Sequence, residues 1–151
     1  MADITFLLVK NPSPEKVAPF AEQLNKLGKR FTAFLEADPQ DELTSRLQDY
    51  NAAVIAIENS RVIGYSLLST NSTATRWLLS ATFVDEPRRK QGIGGSMVSM
   101  LMNEAYRQGA KTIEATVSID SEESMGRILQ QRGFHSSLNG MEGDYFKYLE
   151  R

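Results

Sequence analysis

Three glycines and three cations meet at the start of one predicted helix. Apolar residues recur at helical spacing along it, at Ile93, Met97, Leu101 and Ala105. The glycines lie at or before its first turn, where each one inside the helix costs roughly 1 kcal/mol relative to alanine. They are Gly92, Gly94 and Gly95, and the cations are Arg88, Arg89 and Lys90. Because a helix N-terminus carries partial positive charge, cations there have the wrong sign unless an anion binds.

This combination predicts a phosphate or pyrophosphate site, which we call the cradle and define as residues Gln91–Ser96. Free backbone N–H groups at a helix start point at an anion, and glycine lets the phosphate come close. The basic side chains of Arg88, Arg89 and Lys90 would neutralise it. The alternative is a glycine-rich turn before a core helix, with solvated cations. Met97 in place of a third glycine disfavours a dinucleotide fingerprint, and the absence of lysine before Ser96 disfavours a P-loop.

Composition limits the other possibilities. The 151 residues fit one domain, 1–151, which is long enough to form a hydrophobic core without a disulfide. The sequence contains no cysteine. A single histidine, His135, excludes multi-histidine metal sites, and we interpret it as a surface or hairpin residue rather than a catalytic base. The net charge of -2 disfavours nucleic-acid binding. We expect a cytoplasmic protein with no membrane association and no metal.

Hydrophobic patterns place the cradle within an α+β fold. The predicted order is βαα-βββ-αβ-αβ, with one further strand in the tail as an option. The first strand, Ile4 to Val9, is apolar on both faces, so we expect it away from a solvent edge. Two predicted helices follow it, one that starts near residue 18 and stops at Gly28 and one that opens at Asp38-Pro39. Next come three predicted strands: Ala53 to Ile57, Arg61 to Leu68 with a bulge at Gly64, and Thr75 to Val84. After the glycine-headed helix we expect strand Thr112 to Ser118, a helix capped by Asp120 or Ser121 and ended by Gly133, and strand Asp144 to Leu149.

The residues around the cradle resemble the GNAT superfamily of acyl-CoA-dependent N-acetyltransferases. The family signature Arg/Gln-x-x-Gly-x-Gly/Ala is matched by the run Arg89-Lys90-Gln91-Gly92-Ile93-Gly94. The strand Trp77 to Val84 resembles the one that precedes the signature, and Glu123 to Phe134 is similar to the later helix with its Gly-Phe ending. The resemblance covers about half of the chain closely.

The resemblance implies a mixed, mostly antiparallel sheet with helices on both faces and a central βαβ unit. In that fold the strands before and after the signature helix splay apart, and the acyl-CoA arm lies between them. It implies acetyl transfer from acetyl-CoA to a primary amine of a small molecule or peptide. A homodimer is an open alternative to a monomer. The cofactor contacts it suggests are Phe83, Val84, Arg88, Arg89, Lys90, Gln91, Gly92, Ile93, Gly94, Gly95, Ser96 and Ser124.

The chain departs from the family pattern where proton transfer is concerned. The family often has a tyrosine acid where this chain has Leu129, and often a glutamate in the strand before the signature, where Trp77 to Val84 has no carboxylate. The proton donor and acceptor are therefore unassigned. Candidates are Glu58, Asp85, Ser124, Tyr145 and Tyr148. Two alternatives stay open: an acyl-CoA sensor of the same fold without turnover, and an unrelated nucleotide-phosphate binder.

Overall fold

A computed structural model gives the fold, and it describes residues 3–30, 44, 47–70, 75–88, 91–116, 122–136 and 144–149. These form one seven-stranded sheet in the order β1-β2-β3-β4-β5-β7-β6. The strands are β1 Ile4–Lys10, β2 Ala52–Glu58, β3 Arg61–Thr70, β4 Arg76–Val84, β5 Thr112–Thr116, β6 His135–Ser136 and β7 Asp144–Tyr148. The helices are α1 Ala21–Arg30, α2 Ile93–Arg107 and α3 Glu122–Gln131, with short 3-10 turns at Ala18–Phe20, Leu47–Asp49 and Glu86–Arg88.

The predicted fold class is confirmed. Neighbouring strands pair antiparallel except β4 and β5, which are parallel and joined by α2 in a βαβ unit. The predicted helix start near residue 18 is confirmed by the turn Ala18–Phe20, which leads into α1. The Asp38-Pro39 helix opening, the Asp120 or Ser121 cap and the end of β5 at Ser118 lie outside the described residues.

Two local predictions were wrong. α1 continues past Gly28 to Arg30, because a glycine inside a helix costs only about 1 kcal/mol and tertiary packing can offset it. Among the described strands β1 lies at one end of the sheet and pairs only with β2. Its two apolar faces have a different cause, since Val9 packs toward α1 while Phe6 and Leu8 pack toward α2.

The core has two parts, one on each face of the sheet. On one face α2 packs across β2, β3 and β4 and contacts α3, burying Met97, Leu101 and Leu129 almost completely. On the other face α1 packs on β3 and buries Leu24 and Leu27 against Tyr65 and its neighbours. Burial of these side chains is the main force that holds the helices to the sheet.

Register shifts in the central strands adjust which side chains reach each face. The predicted bulge at Gly64 is confirmed, since Ala56 pairs with Gly64 and Ile57 with Val62, leaving Ile63 as an extra residue in β3. A Cβ on Gly64 would lie 2.7 Å from the carbonyl oxygen of Phe83, so only glycine lets β3 and β4 approach this closely. Bulges of this kind bend a strand and re-aim its side chains.

In the part of the α1-side core that the structure describes, the hydroxyl of Tyr65 is a buried polar group without a hydrogen bond. Its ring is 1% exposed and stacks on Phe83 with 5.9 Å between centroids. No described residue hydrogen-bonds to its hydroxyl. Burial, with a smaller contribution from Tyr50, raises the pKa of Tyr65 well above the usual tyrosine value, so the hydroxyl stays neutral.

We predict that Tyr65→Phe increases the free energy of unfolding by about 1 kcal/mol, because it removes a buried hydroxyl without a partner. The folded-state pKa is the higher one, so the unfolded chain releases the proton first and wild-type stability falls above roughly pH 10. The advantage of the variant should therefore widen in alkaline urea titrations. Tyr148→Phe, at a side chain 68% exposed, is the matched control. A less stable Tyr65→Phe would show that the hydroxyl has a partner.

Candidate functional site

β4 changes its pairing halfway along its length. Its parallel pairs with β5 run from Arg76–Thr112 to Leu79–Ala115, while β4 itself continues to Val84. At the same point Leu67 pairs with Ala81 and Leu68 with Leu79, so β4 has a bulge that leaves Ser80 as the extra residue. In the described part of the chain the parallel pairs therefore end where the bulge lies, and β3 holds the final residues of β4 in the sheet.

The bulge changes which alternate side chains of β4 point to the α2 side of the sheet. Before it, Trp77 and Leu79 belong to the core on the α2 side. After it, Thr82 and Val84 face α2, and Phe83 belongs to the core on the α1 side. The hydroxyls of Ser66 and Thr82 lie 2.7 Å apart on the α2 side, so each has a hydrogen-bond partner there. The strand therefore reaches the start of α2 with Val84 directed toward it.

The start of α2 is a helix N-terminus without a cap. Gly92 precedes the helix with φ 82° and ψ 4°, in the left-handed region that favours glycine. The Ser96 N–H donates to the Gly92 carbonyl at 3.0 Å, closing the first turn. Among the described residues no side chain caps the helix, and its first turn has no acidic residue. The first N–H groups of α2 therefore present an uncompensated positive end.

The three glycines of the cradle serve different purposes. A Cβ on Gly92 would meet no atom of the described residues within 4 Å, so they leave the space beside it open. Gly94 and Gly95 are buried instead: a Cβ on Gly94 would lie 3.6 Å from Val84 and from Ile128, and one on Gly95 would overlap the Arg132 guanidinium. The sequence interpretation, which assigned all three to phosphate approach, is therefore incomplete, because Gly95 also makes room for the Arg132 guanidinium, whereas a Cβ on Gly94 would make only ordinary contacts.

The other predicted cradle residues divide into exposed and buried positions. Gln91 and Ser96 are exposed, whereas Ile93 is 3% exposed and anchors the helix start in the core. Arg89 and Lys90 lie outside the described residues. Ser124 lies in α3. The structure thus brings Val84, Gly92 and Gly94 together at the junction of β4 and α2.

The described cations near the cradle have defined partners. Arg88 forms an ion pair with Glu58, whose side chain is 10% exposed. Arg132, whose guanidinium lies against Gly95, is a residue that the sequence analysis did not identify. Its Nε donates to Ser99 Oγ at 2.8 Å and its Nη1 to the Ile128 carbonyl at 3.1 Å. Arg132 is 33 positions from Ser99, and no periodicity in the sequence marks such a contact.

The two tyrosines considered for proton transfer occupy different surroundings on β7. Tyr145 is 6% exposed, and its hydroxyl lies against Gly126 of α3, where a Cβ would be only 2.4 Å away. Tyr148 is 68% exposed and makes an edge contact with Phe146 at 5.5 Å between centroids. The two tyrosines therefore lie on opposite faces of β7, as the alternation of side chains along a strand requires. Leu129, at the family's tyrosine position, is fully buried.

The two candidate carboxylates are both engaged in ion pairs. Glu58 binds Arg88, and Asp85, 4% exposed, accepts a hydrogen bond from Arg61 at 2.9 Å. His135 is exposed, as predicted, with its ring 5.9 Å from that of Phe146. Within the described ranges no cluster of three metal-ligating side chains occurs. No helix in the described part of the chain has the length and apolarity needed to cross a membrane.

Solved structures of other proteins share this fold. No curated protein matches the sequence. Among solved structures, a GNAT-family acetyltransferase from Staphylococcus aureus Mu50 has a TM-score of 0.69 at 16% identity, covering 97% of this chain and 100% of its own. YncA, a putative acetyltransferase from Salmonella typhimurium, has 0.68 at 17% identity, covering 99% and 95%. A putative GNAT acetyltransferase from Desulfovibrio desulfuricans has 0.66 at 16% identity, covering 97% and 99%.

At these identities the structural neighbours establish only the fold. The family is established by a match between the sequence and a family model. The model of the acetyltransferase (GNAT) family matches residues 21–134, which include β2 to β5, the cradle, α2 and α3. The match extends over most of the chain and ends at Phe134, the last residue of the Gly-Phe ending. The predicted resemblance is therefore confirmed, and the chain belongs to the acetyltransferase (GNAT) family.

Proposed function

We propose that this protein is an N-acetyltransferase that transfers an acetyl group from acetyl-CoA to a primary amine of a small molecule or peptide. The observation that carries the proposal is the uncapped, positively polarised start of α2 at the end of β4. Such a helix N-terminus is suited to a pyrophosphate. The Salmonella neighbour is described with its cofactor acetyl-CoA, which supports the same ligand here.

In this proposal the cradle binds the pyrophosphate through the backbone N–H groups of residues Gln91–Ser96. Open space beside Gly92 admits the phosphate oxygens, and the cations Arg89 and Lys90 would supply side-chain charge. Backbone groups of Phe83 and Val84, beyond the last parallel pair with β5, would hold the pantetheine arm and the thioester carbonyl. Ser124 near the start of α3 stays a predicted contact.

Acetyl-CoA supplies the activated thioester. The neutral amine nitrogen attacks the carbonyl carbon, the C–S bond breaks, and the sulfur takes a proton while the nitrogen loses one. Holding the two reactants in line provides a large part of such a rate enhancement without a strong acid. Glu58 and Asp85 already form ion pairs, which argues against either as the base. We therefore infer a proton path through water rather than through one dominant side chain.

The alternative is an acyl-CoA sensor of the same fold without turnover. Leu129 at the usual tyrosine position, and the absence of a carboxylate in Trp77 to Val84, are the observations that favour it. A cytoplasmic location and a homodimer stay predictions. The acceptor is proposed only as a primary amine.

We predict that calorimetric titration with acetyl-CoA shows one saturable site and that thiol release is detected with at least one amine of a broad panel. Excess ATP should compete poorly against coenzyme A if the cradle is specific for the full cofactor. No binding up to millimolar acetyl-CoA would refute the proposed function. Binding without turnover for any amine would favour the sensor.

A charge series at Gln91 tests the cradle. Gln91 is exposed just before the helix, so Gln91→Glu should leave the helix intact or slightly stabilise it, since an anion is favourable at a helix N-terminus. The same carboxylate should repel the pyrophosphate and raise the Kd for coenzyme A roughly tenfold, an effect screened by salt. Gln91→Lys should lower the Kd. Equal affinities for all three proteins would place the phosphates elsewhere.

The proton path is tested with Tyr145→Phe and Tyr148→Phe, each assayed for maximal rate at saturating acetyl-CoA across pH. We predict less than a tenfold loss for either, below the roughly 10²- to 10⁴-fold effect of a positioned general acid. Tyr148→Phe serves as the exposed control on the opposite face. A larger loss in Tyr145→Phe, with an altered basic limb of the pH profile, would identify the Tyr145 hydroxyl as the acid.

A further inference from the structure

The segment between β4 and the cradle is bound to the β2–β3 hairpin by two ion pairs. Glu58 is the last residue of β2, and its carboxylate pairs with Arg88, the last residue of the 3-10 turn Glu86–Arg88. Arg61 is the first residue of β3, and its Nη2 lies 2.9 Å from Asp85 Oδ2. Both carboxylates are nearly buried, with side chains 10% and 5% exposed, so each needs a cation to offset its lost hydration.

One backbone hydrogen bond adds to this attachment, and a second closes the turn within the segment. The Asp85 N–H donates to the Ile63 carbonyl at 2.7 Å, and the Arg88 N–H donates to the Asp85 carbonyl at 2.8 Å. The segment 85–88 is therefore fixed to the hairpin at both of its ends, and only residues 89–91 separate it from Gly92. The position of Arg88 thus limits where the cradle can begin.

A phosphate role for Arg88 conflicts with this geometry. If its guanidinium turned toward a bound phosphate, the carboxylate of Glu58 would remain nearly buried without its cation. Breaking such a pair is strongly unfavourable, whereas an exposed pair costs little to break. Arg88, whose side chain is 40% exposed, has its charge neutralised by Glu58 and so adds little positive potential at the cradle.

We propose that Arg88 is a positioning residue: its ion pair with Glu58 holds the loop that leads into α2, and this pair, rather than a contact between Arg88 and the cofactor, sets the affinity for coenzyme A. This inference rests on the proposed function, in which coenzyme A binds the cradle. It replaces the sequence interpretation of Arg88 as a phosphate contact and assigns Glu58 to the same role.

The charge exchange Glu58→Arg with Arg88→Glu separates the two roles. A positioning pair keeps its attraction when the charges are exchanged, whereas a phosphate contact would become a repulsive carboxylate. We expect Arg88→Glu alone to raise the Kd for coenzyme A at least tenfold, in line with the effect of small misplacements at a binding site. The exchanged protein should return to within about threefold of the wild type, as coupled neighbours allow. An exchanged protein as weak as Arg88→Glu alone would overturn the proposal.

A double-mutant cycle with neutral residues serves if the exchanged protein does not fold. For a positioning pair, Glu58→Gln and Arg88→Gln should each weaken coenzyme A binding, and the double variant should be no weaker than either single one. If Arg88→Gln weakens binding equally with and without Glu58, Arg88 contacts the cofactor and the proposal is wrong. It is also wrong if neither single variant changes the Kd.

The matched control is the exposed ion pair between Arg76 and Glu114, whose Nε and Oε2 atoms lie 2.7 Å apart near the start of β4. Arg76→Gln with Glu114→Gln should change the Kd for coenzyme A less than about twofold, because exposed pairs contribute little. Circular dichroism establishes that each variant is folded. A wild type that does not bind coenzyme A refutes the proposed function and this inference together. A wild type that binds, with no rescue in the exchanged protein or in the cycle, refutes only the role of Arg88.

Discussion

The central constraint in this structure is that, among the described residues, β4 pairs with β3 from Trp77 to Val84 but with β5 only from Arg76 to Leu79. In the described part of the chain, the first half of β4 therefore has a paired strand on each side, whereas its second half is paired only with β3. The bulge at Ser80 falls where these two requirements meet, and it turns Val84 toward the start of α2. Everything proposed for the cofactor depends on that arrangement, because the end of β4 and the positive end of α2 lie next to each other.

Close packing and ligand binding make overlapping demands on the cradle. Gly95 makes room for the Arg132 guanidinium, Gly94 lies against Val84 and Ile128, and Gly92 supplies the left-handed turn that starts the helix. Their cost to the helix is small beside the burial of Met97 and Leu101 further along it. A stable core can therefore carry an unsatisfied helix end, which is the condition for binding an anion there.

Much of this was predictable from the sequence, and the failures have a common physical cause. Periodicity and glycine punctuation placed the strands, α2 and the βαβ unit, because those features depend on residues close together in the chain. The partners of Arg88 and Arg132 could not be predicted in this way, since they are 30 and 33 positions away. The edge position of β1 was missed for the same reason: an apolar face indicates burial, and does not say whether a strand or a helix provides it.

The central claim is that the backbone N–H groups at the start of α2 bind the cofactor's pyrophosphate. Amide chemical-shift mapping of the isotope-labelled wild-type protein during titration with coenzyme A tests it most directly. We expect saturable shifts that are largest at the amides of residues Gln91–Ser96, with those of α1 unchanged. Saturable shifts confined to other residues, with the amides of Gly92, Gly94 and Gly95 unmoved, would contradict it.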